Sequence, residues 1–217
     1  MRFLYRESIA ETVESYFKSS VSVEDGDENY YVKALREEKP LPLRKFVLSK
    51  IENYRNEVVR AFVIQHGEAY VLPLCDMVAI RGFELRASKS KDFRFIGDGF
   101  PAFYGFNHFS QFKYGNLAFI VEGVKDARAL GEEYPYVIAA LGVTMSRDII
   151  DQLFKLTNRW VFVHDNDWWG RRSAKRLQKS GVVSISTPFS KDLGSLYEGD
   201  SEIREYIKSL VKVHLWF

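Results

Sequence analysis

Acidic side chains follow two short apolar runs of this sequence, and they are the residues best suited to chemistry. Glu122 comes directly after the run 117–121, and Asp165 and Asp167 follow the run 160–163. Each run is rich in β-branched and aromatic residues and is bounded by polar ones, which indicates a buried strand. The carboxyl ends of neighbouring parallel strands open onto one crevice, so we expect the three carboxylates to converge there.

Carboxylates held this close repel one another and require a cation. Oxygen ligands of this kind suit Mg²⁺, which keeps several of its own waters, and Mn²⁺ is the expected substitute. The pattern therefore predicts a metal site for phosphoryl transfer. A second interpretation stays open for the individual residues, because Asp165 or Asp167 can simply cap a following helix and Gly123 can make a tight turn.

Two basic segments accompany this acidic set, although the net charge of +2 by itself does not indicate nucleic-acid binding. In the first segment, 81–94, basic residues outnumber acidic ones and alternate with phenylalanines. If 168–179 is a helix, four basic residues of the second segment share one face: Arg172, Lys175, Arg176 and Lys179. This face would flank the metal site, where a polyanionic backbone would lie; the alternative is a solvated helix face.

The composition sets outer limits on the class of protein. With 217 residues, 46% of them hydrophobic, the chain can bury a substantial core in one or two domains. The single cysteine, Cys75, excludes an internal disulfide and a thiolate zinc ribbon, and we expect it to fill space in the core. No run is long enough to cross a membrane, and no signal-peptide pattern opens the sequence, so we expect a cytoplasmic protein without a membrane partner.

The apolar periodicity divides the chain into three parts. Region 1–60 is predicted to be helical, with helices around 8–17 and 44–60, and region 61–116 alternates strand-like runs with turns. From 117 to 217, strands alternate with helices, which predicts right-handed crossovers and a parallel sheet. The predicted strands are 69–74, 78–85, 92–96, 117–122, 136–141, 160–165 and 182–187, and the later helices are 124–132, 146–157, 168–179 and 200–212.

Four motifs in this order resemble those of the TOPRIM domain, which bacterial-type primases, topoisomerases and certain nucleases share. They are Glu122-Gly-Val-Lys-Asp126, Ala140-Leu-Gly142, Asp165-Asn-Asp167 with Gly170, and Lys191-Asp192. Upstream, the stretch 71–106 is similar to the segment that precedes TOPRIM in bacterial-type primases, with a proline-containing strand, a "GF..R" strand and a basic segment. The resemblance implies an α/β TOPRIM fold, a Rossmann-like parallel sheet with flanking helices, preceded by a smaller mixed α+β subdomain.

The resemblance also implies roles for individual residues. Glu122 matches the general acid/base or metal-binding glutamate of TOPRIM enzymes, and Asp165 and Asp167 match metal-binding carboxylates, so these three are the expected catalytic residues. Further matches to acidic metal-site positions are Asp126 and Asp192. Arg86, Arg94 and Lys191 are expected to lie near template or nucleotide phosphates. Further residues expected to contact nucleic acid are Arg81, Lys91 and the four basic residues of 172–179.

The sequence departs from the primase pattern in three ways. Gly194 stands where bacterial primases carry a further aspartate, which implies weaker or water-mediated binding of one metal ion. No zinc-binding module and no helicase P-loop motif is present in the sequence, so a helicase or polymerase partner would be a separate chain. This architecture suggests a phage or plasmid replication protein, acting in the host cytoplasm if a phage encodes it.

The sequence thus predicts a DNA primase core that makes short primers on single-stranded DNA from nucleoside triphosphates. A TOPRIM nuclease would use the same carboxylates with a water nucleophile, and a non-catalytic DNA-binding replication subunit would keep the fold alone. A topoisomerase fits least, because no second domain supplies a nucleophilic tyrosine. Of the other polar and aromatic candidates, His164 is expected to be a core histidine, and Trp168 and Trp169 to pack beneath the basic helix rather than to stack on bases.

Overall fold

The computed structural model describes residues 41–42, 57–76, 80–97, 102–106, 109, 112–142, 145–188, 193–194 and 201–215. The chain forms two compact units, Met1–Ala102 and Phe103–Phe217. The predicted helix around 8–17 and most of the one around 44–60 lie outside the described residues. The division of the chain into 1–60, 61–116 and 117–217 stays a prediction.

The described part of the first unit is a helix and an antiparallel sheet. Helix α1 (Glu57–His66) precedes strand β2 (Glu68–Cys75), and β2 pairs on one side with the two-residue strand β1 (Leu41–Pro42). On its other side β2 pairs with β3 (Ile80–Ala87), which in turn pairs with β4 (Phe93–Gly97). The three strands predicted in this region are therefore present.

Residues 61–66 belong to helix α1, which corrects the expectation that strand-like runs and turns begin at residue 61. The segment contains Val and Ile, which favour strands from the sequence alone. In the structure, buried Phe62 packs on His66 one helical turn later, with 4.5 Å between ring centroids. The helix ends before Gly67, whose φ of 68° is a conformation that glycine adopts without strain.

The second unit is built around a mostly parallel sheet. Its described strands are β5 (Phe103–Tyr104), β6 (Ala118–Val121), β7 (Val137–Ala139), β8 (Trp160–His164) and β9 (Val183–Ser186). Their order in the sheet is β5, β7, β6, β8, β9. The short strand β5 runs antiparallel to β7, and the others are parallel to their neighbours.

Helices α2 (Val124–Gly131), α3 (Arg147–Leu156) and α4 (Trp168–Gln178) connect the successive parallel strands, and α5 (Ser201–Leu215) follows. The alternation predicted from residue 117 onward is therefore confirmed. From β6 the chain first adds β7 on one side and then β8 on the other, so the strand order reverses between β6 and β8. Ligands of such sheets bind in the crevice beyond the carboxyl ends of the strands at this reversal.

The strands that lead to this crevice are fully buried. Every residue of β6 and β8 is buried, because both strands lie in the interior of the sheet, and this explains their near-continuous apolar sequence. Trp160 at the start of β8 is 1% exposed, and its indole N–H donates to the Leu153 carbonyl oxygen at 2.9 Å. The polar residues that follow the two strands are therefore held on a rigid, close-packed support.

Among the described residues, no helix combines the length and the hydropathy needed to cross a membrane. Cys75 is buried, and burial raises the pKa of its thiol to about 12. A thiol with this pKa is protonated and unreactive at neutral pH, which agrees with the expected role as a core residue.

Candidate active site

The structure brings Glu122 and Asp165 together at the ends of two adjacent strands. The parallel register pairs Ala118 with Trp160 and Ile120 with Phe162, so the residues after β6 and β8 emerge side by side. The backbone N–H of Asp165 donates to Oε1 of Glu122 at 3.2 Å. The convergence that the sequence predicts for these two residues is thus present at the crevice.

The Glu122 carboxyl group in this crevice is strongly perturbed. Its pKa is raised to about 7, first by partial burial and then by the negative charge of Asp165, with smaller contributions from Asp167 and Asp126. The hydrogen bond from the Asp165 backbone opposes the shift. A carboxyl group with a near-neutral pKa can accept or release a proton at physiological pH, which is the property a general acid/base needs.

Asp167 combines the two interpretations left open by the sequence. It is the N-cap of α4, and its Oδ1 accepts from the Gly170 N–H at 2.7 Å. Its charge also acts on Glu122, since it is one of the causes of the raised pKa there. Capping therefore holds this exposed carboxylate at the rim of the crevice.

Asp126 is bound by backbone amides on both of its oxygens. Its Oδ2 accepts from the Gly123 N–H at 3.2 Å, and its Oδ1 accepts from the Gly194 N–H at 2.8 Å. The side chain is 6% exposed. In this structure Asp126 thus fixes the turn after β6 and anchors a segment 68 residues away, and its role as a metal ligand stays a prediction.

The structure gives a physical reason for Gly194 at the position where bacterial primases carry an aspartate. A Cβ atom on this residue would lie 2.3 Å from the carbonyl carbon of Lys125 and 2.4 Å from its Cβ. Any side chain would therefore displace the segment from helix α2. The neighbouring candidates Lys191 and Asp192 lie outside the described residues.

Gly170 is a site residue whose role the sequence did not reveal, although it belongs to the third motif. A Cβ atom here would lie 2.3 Å from the Asp165 carbonyl oxygen and 2.7 Å from Oε1 of Glu122. Only glycine lets the first turn of α4 approach both acidic residues this closely. The only indication in the sequence was the position of this glycine, three residues after Asp167 in the third motif.

His164, the last residue of β8, behaves as the expected core histidine. It is 5% exposed, and its ring stacks on Phe162 at 5.4 Å between centroids. Its Nδ1 lies 2.9 Å from the Asp165 carbonyl oxygen. The histidine thus supports the turn that carries Asp165.

Within the part of the chain that the structure describes, no three His, Cys, Asp or Glu side chains form a ready-made metal cage. The described carboxylates instead line an open edge. Mg²⁺ in phosphoryl-transfer sites is usually held by one or two carboxylates together with waters and substrate phosphates, so an open edge with Glu122, Asp165 and Asp167 fits such an ion.

Two of the predicted nucleic-acid residues of the first unit, Arg81 and Arg86, are paired with acidic side chains within that unit. Arg81 pairs with Asp76 at 2.6 Å, and the Arg86 guanidinium binds Oε1 of Glu84 through Nε at 2.7 Å and Nη2 at 2.6 Å. Glu84 is 1% exposed, and its burial raises the pKa of its carboxyl group, which the Arg86 charge opposes. Arg86 therefore neutralises a buried acid, in addition to any contact with phosphate.

Arg94 and Lys91 are exposed on the same unit. The Arg94 Nη1 donates to the Phe93 carbonyl oxygen at 2.7 Å, and its guanidinium lies 5.9 Å from the centre of the Phe62 ring. These contacts orient the arginine without neutralising its charge. Both residues remain able to bind a phosphate.

The basic face of α4 is exposed at all four predicted positions, namely Arg172, Lys175, Arg176 and Lys179. No ion pair forms on these four side chains with any acidic side chain in the described ranges. Arg172 and Arg176 line a cavity of about 580 Å³ that Glu122 also lines. The predicted placement of a cationic face beside the carboxylates is therefore present.

Trp168 and Trp169 do not pack beneath this helix, which corrects the sequence-based expectation. Their side chains are 56% and 66% exposed, whereas Trp160 is buried. The reason is their position in the first turn of α4, where the buried side of the helix is supplied by Gly170, Ala174 and Leu177. The close approach at Gly170 leaves no room for an indole on that side.

Comparison with known proteins gives a fold but no sequence family, since no protein-family model and no curated protein sequence matches the chain. Among solved structures, a DnaG primase catalytic domain bound to ssDNA matches with a TM-score of 0.56 and 18% identity over 93% of this chain and 79% of that one. The Escherichia coli primase catalytic core matches with a TM-score of 0.55 and 18% identity, covering 91% and 77%.

The RNA polymerase domain of Mycobacterium tuberculosis primase DnaG matches at a TM-score of 0.53 and 15% identity, over 94% of this chain and 81% of that one. The match in each case extends over both units of the chain rather than over the parallel sheet alone. Together with the motif order and the strand order, these likenesses show that the chain has the fold of the primase-type TOPRIM catalytic core.

Proposed function

We propose that this protein is a DNA primase core that makes short primers on single-stranded DNA by metal-dependent nucleotidyl transfer. The observation that carries the proposal is the convergence of Glu122 and Asp165 at the reversal of the strand order, in a fold of the primase type. One of the structural neighbours is a DnaG domain bound to ssDNA, which supports single-stranded DNA as the partner.

The proposed metal ion is Mg²⁺, replaceable by Mn²⁺, held by Asp165, Asp167 and Asp192. Such an ion would supply positive charge to the triphosphate of the incoming nucleotide and to the pyrophosphate leaving group. Glu122, with a pKa of about 7, is placed to accept the proton of the attacking 3′-hydroxyl or to complete the metal site. The carboxylates repel one another in the metal-free protein, and a bound divalent ion would relieve this repulsion. Binding of the ion would therefore stabilise the acidic cluster.

The basic residues have two separate proposed tasks. The face of α4 holds the single strand through sequence-independent phosphate contacts. Arg86, Arg94 and Lys191 hold template or nucleotide phosphates, and Arg81 and Lys91 add to the positive charge of the first unit. A separate helicase or polymerase and a cytoplasmic, phage- or plasmid-related setting belong to the proposal as well.

The test is incubation of the protein with unprimed single-stranded DNA, Mg²⁺ or Mn²⁺, and labelled ribo- or deoxyribonucleoside triphosphates. New short oligonucleotides of defined length support the proposal. Shortening of the DNA instead identifies a nuclease that uses the same carboxylates. DNA binding with neither product identifies a non-catalytic replication subunit, and both of these results contradict the proposal.

A further inference from the structure

Two adjacent tryptophans are exposed at the start of α4, and their surroundings differ from those of an ordinary surface aromatic. The Trp168 and Trp169 rings lie edge to face with 4.6 Å between centroids. The Arg172 guanidinium lies 5.1 Å from the centre of the Trp168 ring. The cation–π contact and the edge-to-face contact favour one orientation of the Trp168 ring.

Trp169 also lines the cavity of about 580 Å³ beside Glu122. Buried apolar side chains also line this cavity, among them Met145, Phe162 and Leu177. The exposed residues Arg172 and Arg176 line it as well. A large exposed indole, apolar side chains and two cations thus line one cavity, which suits a flat apolar ring system attached to an anionic group.

We propose that Trp168 and Trp169 form a stacking platform for bases of single-stranded DNA beside Glu122, with Arg172 and Arg176 holding the adjoining phosphates. The inference deepens the proposed function in one respect, because it names how the same site holds its DNA. Charge complementarity selects this occupant. The platform is flanked by cations that have no acidic partner among the described residues, and each nucleotide of a single strand supplies both a ring face, on its base, and a phosphate.

The test is the affinity for a fluorescently labelled oligothymidylate, measured without metal ions or nucleotides across a salt series. Stacking of one base on an aromatic side chain is worth enough that Trp169→Ala should weaken binding by roughly 5- to 150-fold. Trp169→Phe, which keeps a ring face, should recover part of the loss. Tyr114→Ala, which removes a side chain 72% exposed in the same unit, is the control and should bind as the wild type does.

The salt series separates stacking from charge. Trp169→Ala should leave the slope of log K against log salt unchanged, whereas Arg172→Gln and Arg176→Gln should each reduce it by about 0.7. The platform would be overturned if Trp169→Ala bound with wild-type affinity. It would also be overturned if Trp169→Ala lowered the slope of log K against log salt and Trp169→Phe did not restore it. Displacement of the oligonucleotide by a nucleoside triphosphate at equal concentration would overturn the choice of single-stranded DNA as occupant.

Because this measurement involves no catalysis, its outcome is independent of primer synthesis. Weaker binding by Trp169→Ala, in a wild-type protein that makes no primers, supports the platform and contradicts the proposed function. If the wild type makes primers and Trp169→Ala binds the oligonucleotide normally, the result supports the proposed function and contradicts the platform. Thermal unfolding of each variant checks that the fold is intact, which we expect because both indoles are largely exposed.

Discussion

Replacing Glu122 with Gln should stabilise the metal-free protein at neutral to basic pH. In the folded state the pKa of this carboxyl group is about 7, against an ordinary value of 4.5, because burial and Asp165 disfavour its charge. At a pH above both pKa values, the negative charge of Glu122 costs less free energy in the unfolded chain than in the folded one. Stability is therefore highest below about pH 4.5 and falls as the pH rises through about 7.

The gap between the two pKa values corresponds to about 3 kcal/mol when it is fully expressed. Glu122 is partly exposed, so screening by water reduces this to about 1.5 kcal/mol. Gln carries no charge at any pH and its Oε1 still accepts from the Asp165 N–H, so Glu122→Gln removes the repulsion and keeps the hydrogen bond. For a chain of this size, each kcal/mol raises the melting temperature by about 2–4 °C.

The assay is thermal or urea unfolding of wild type and Glu122→Gln in a chelator, at about pH 5 and about pH 8. We expect the variant to be more stable by about 1.5 kcal/mol at the higher pH and by much less at the lower pH. The control Glu132→Gln, at an exposed glutamate just after α2, should follow the wild type at both pH values. Equal stabilities of Glu122→Gln and wild type at both pH values would refute the reasoning, as would a variant that is less stable at the higher pH.

Three further predictions concern other residues of the two units. Asp165→Asn and Asp167→Asn should each abolish primer synthesis, because each removes a proposed metal-binding carboxylate, and full activity at saturating Mg²⁺ would contradict the assignment. The fold should be retained in Asp167→Asn, because Asn caps the N-terminus of α4 about as well as Asp. Gly170→Ala should destabilise the protein by about 1–3 kcal/mol in urea unfolding, whereas Gly131→Ala, whose added Cβ meets nothing within 4 Å, should not destabilise it. Arg86→Gln should destabilise the fold by about 3 kcal/mol because buried Glu84 loses its partner, and an unfolding transition identical to that of the wild type would count against the buried pair. Arg94→Gln, at an exposed arginine, should lower nucleotide incorporation at saturating DNA without this loss of stability.

The sequence predicted the second unit well because its signals are local. Strands β6 and β8 are apolar runs of four or five residues with polar residues after them, and parallel strands buried on both faces have this pattern. The positions of Glu122 and Asp165 follow from that pattern and from the rule for strand ends. The convergence of two residues 43 positions apart could therefore be predicted without coordinates.

The prediction that was wrong and the features that the sequence did not reveal depend on tertiary contacts. The exposure of Trp168 and Trp169 follows from the close approach at Gly170, which no local pattern shows. The binding of Asp126 by the Gly194 N–H joins segments 68 residues apart, and the Arg86–Glu84 pair depends on which face of β3 is buried.

The central claim is that the carboxylates after β6 and β8 hold a divalent cation. Electron paramagnetic resonance of free Mn²⁺, titrated with protein, measures this directly. We predict that the wild type and Asp151→Asn, a control at an exposed aspartate of α3, deplete the free Mn²⁺ signal alike, and that Asp165→Asn does so only at much higher protein concentration. Equal depletion by Asp165→Asn and the wild type would contradict the account.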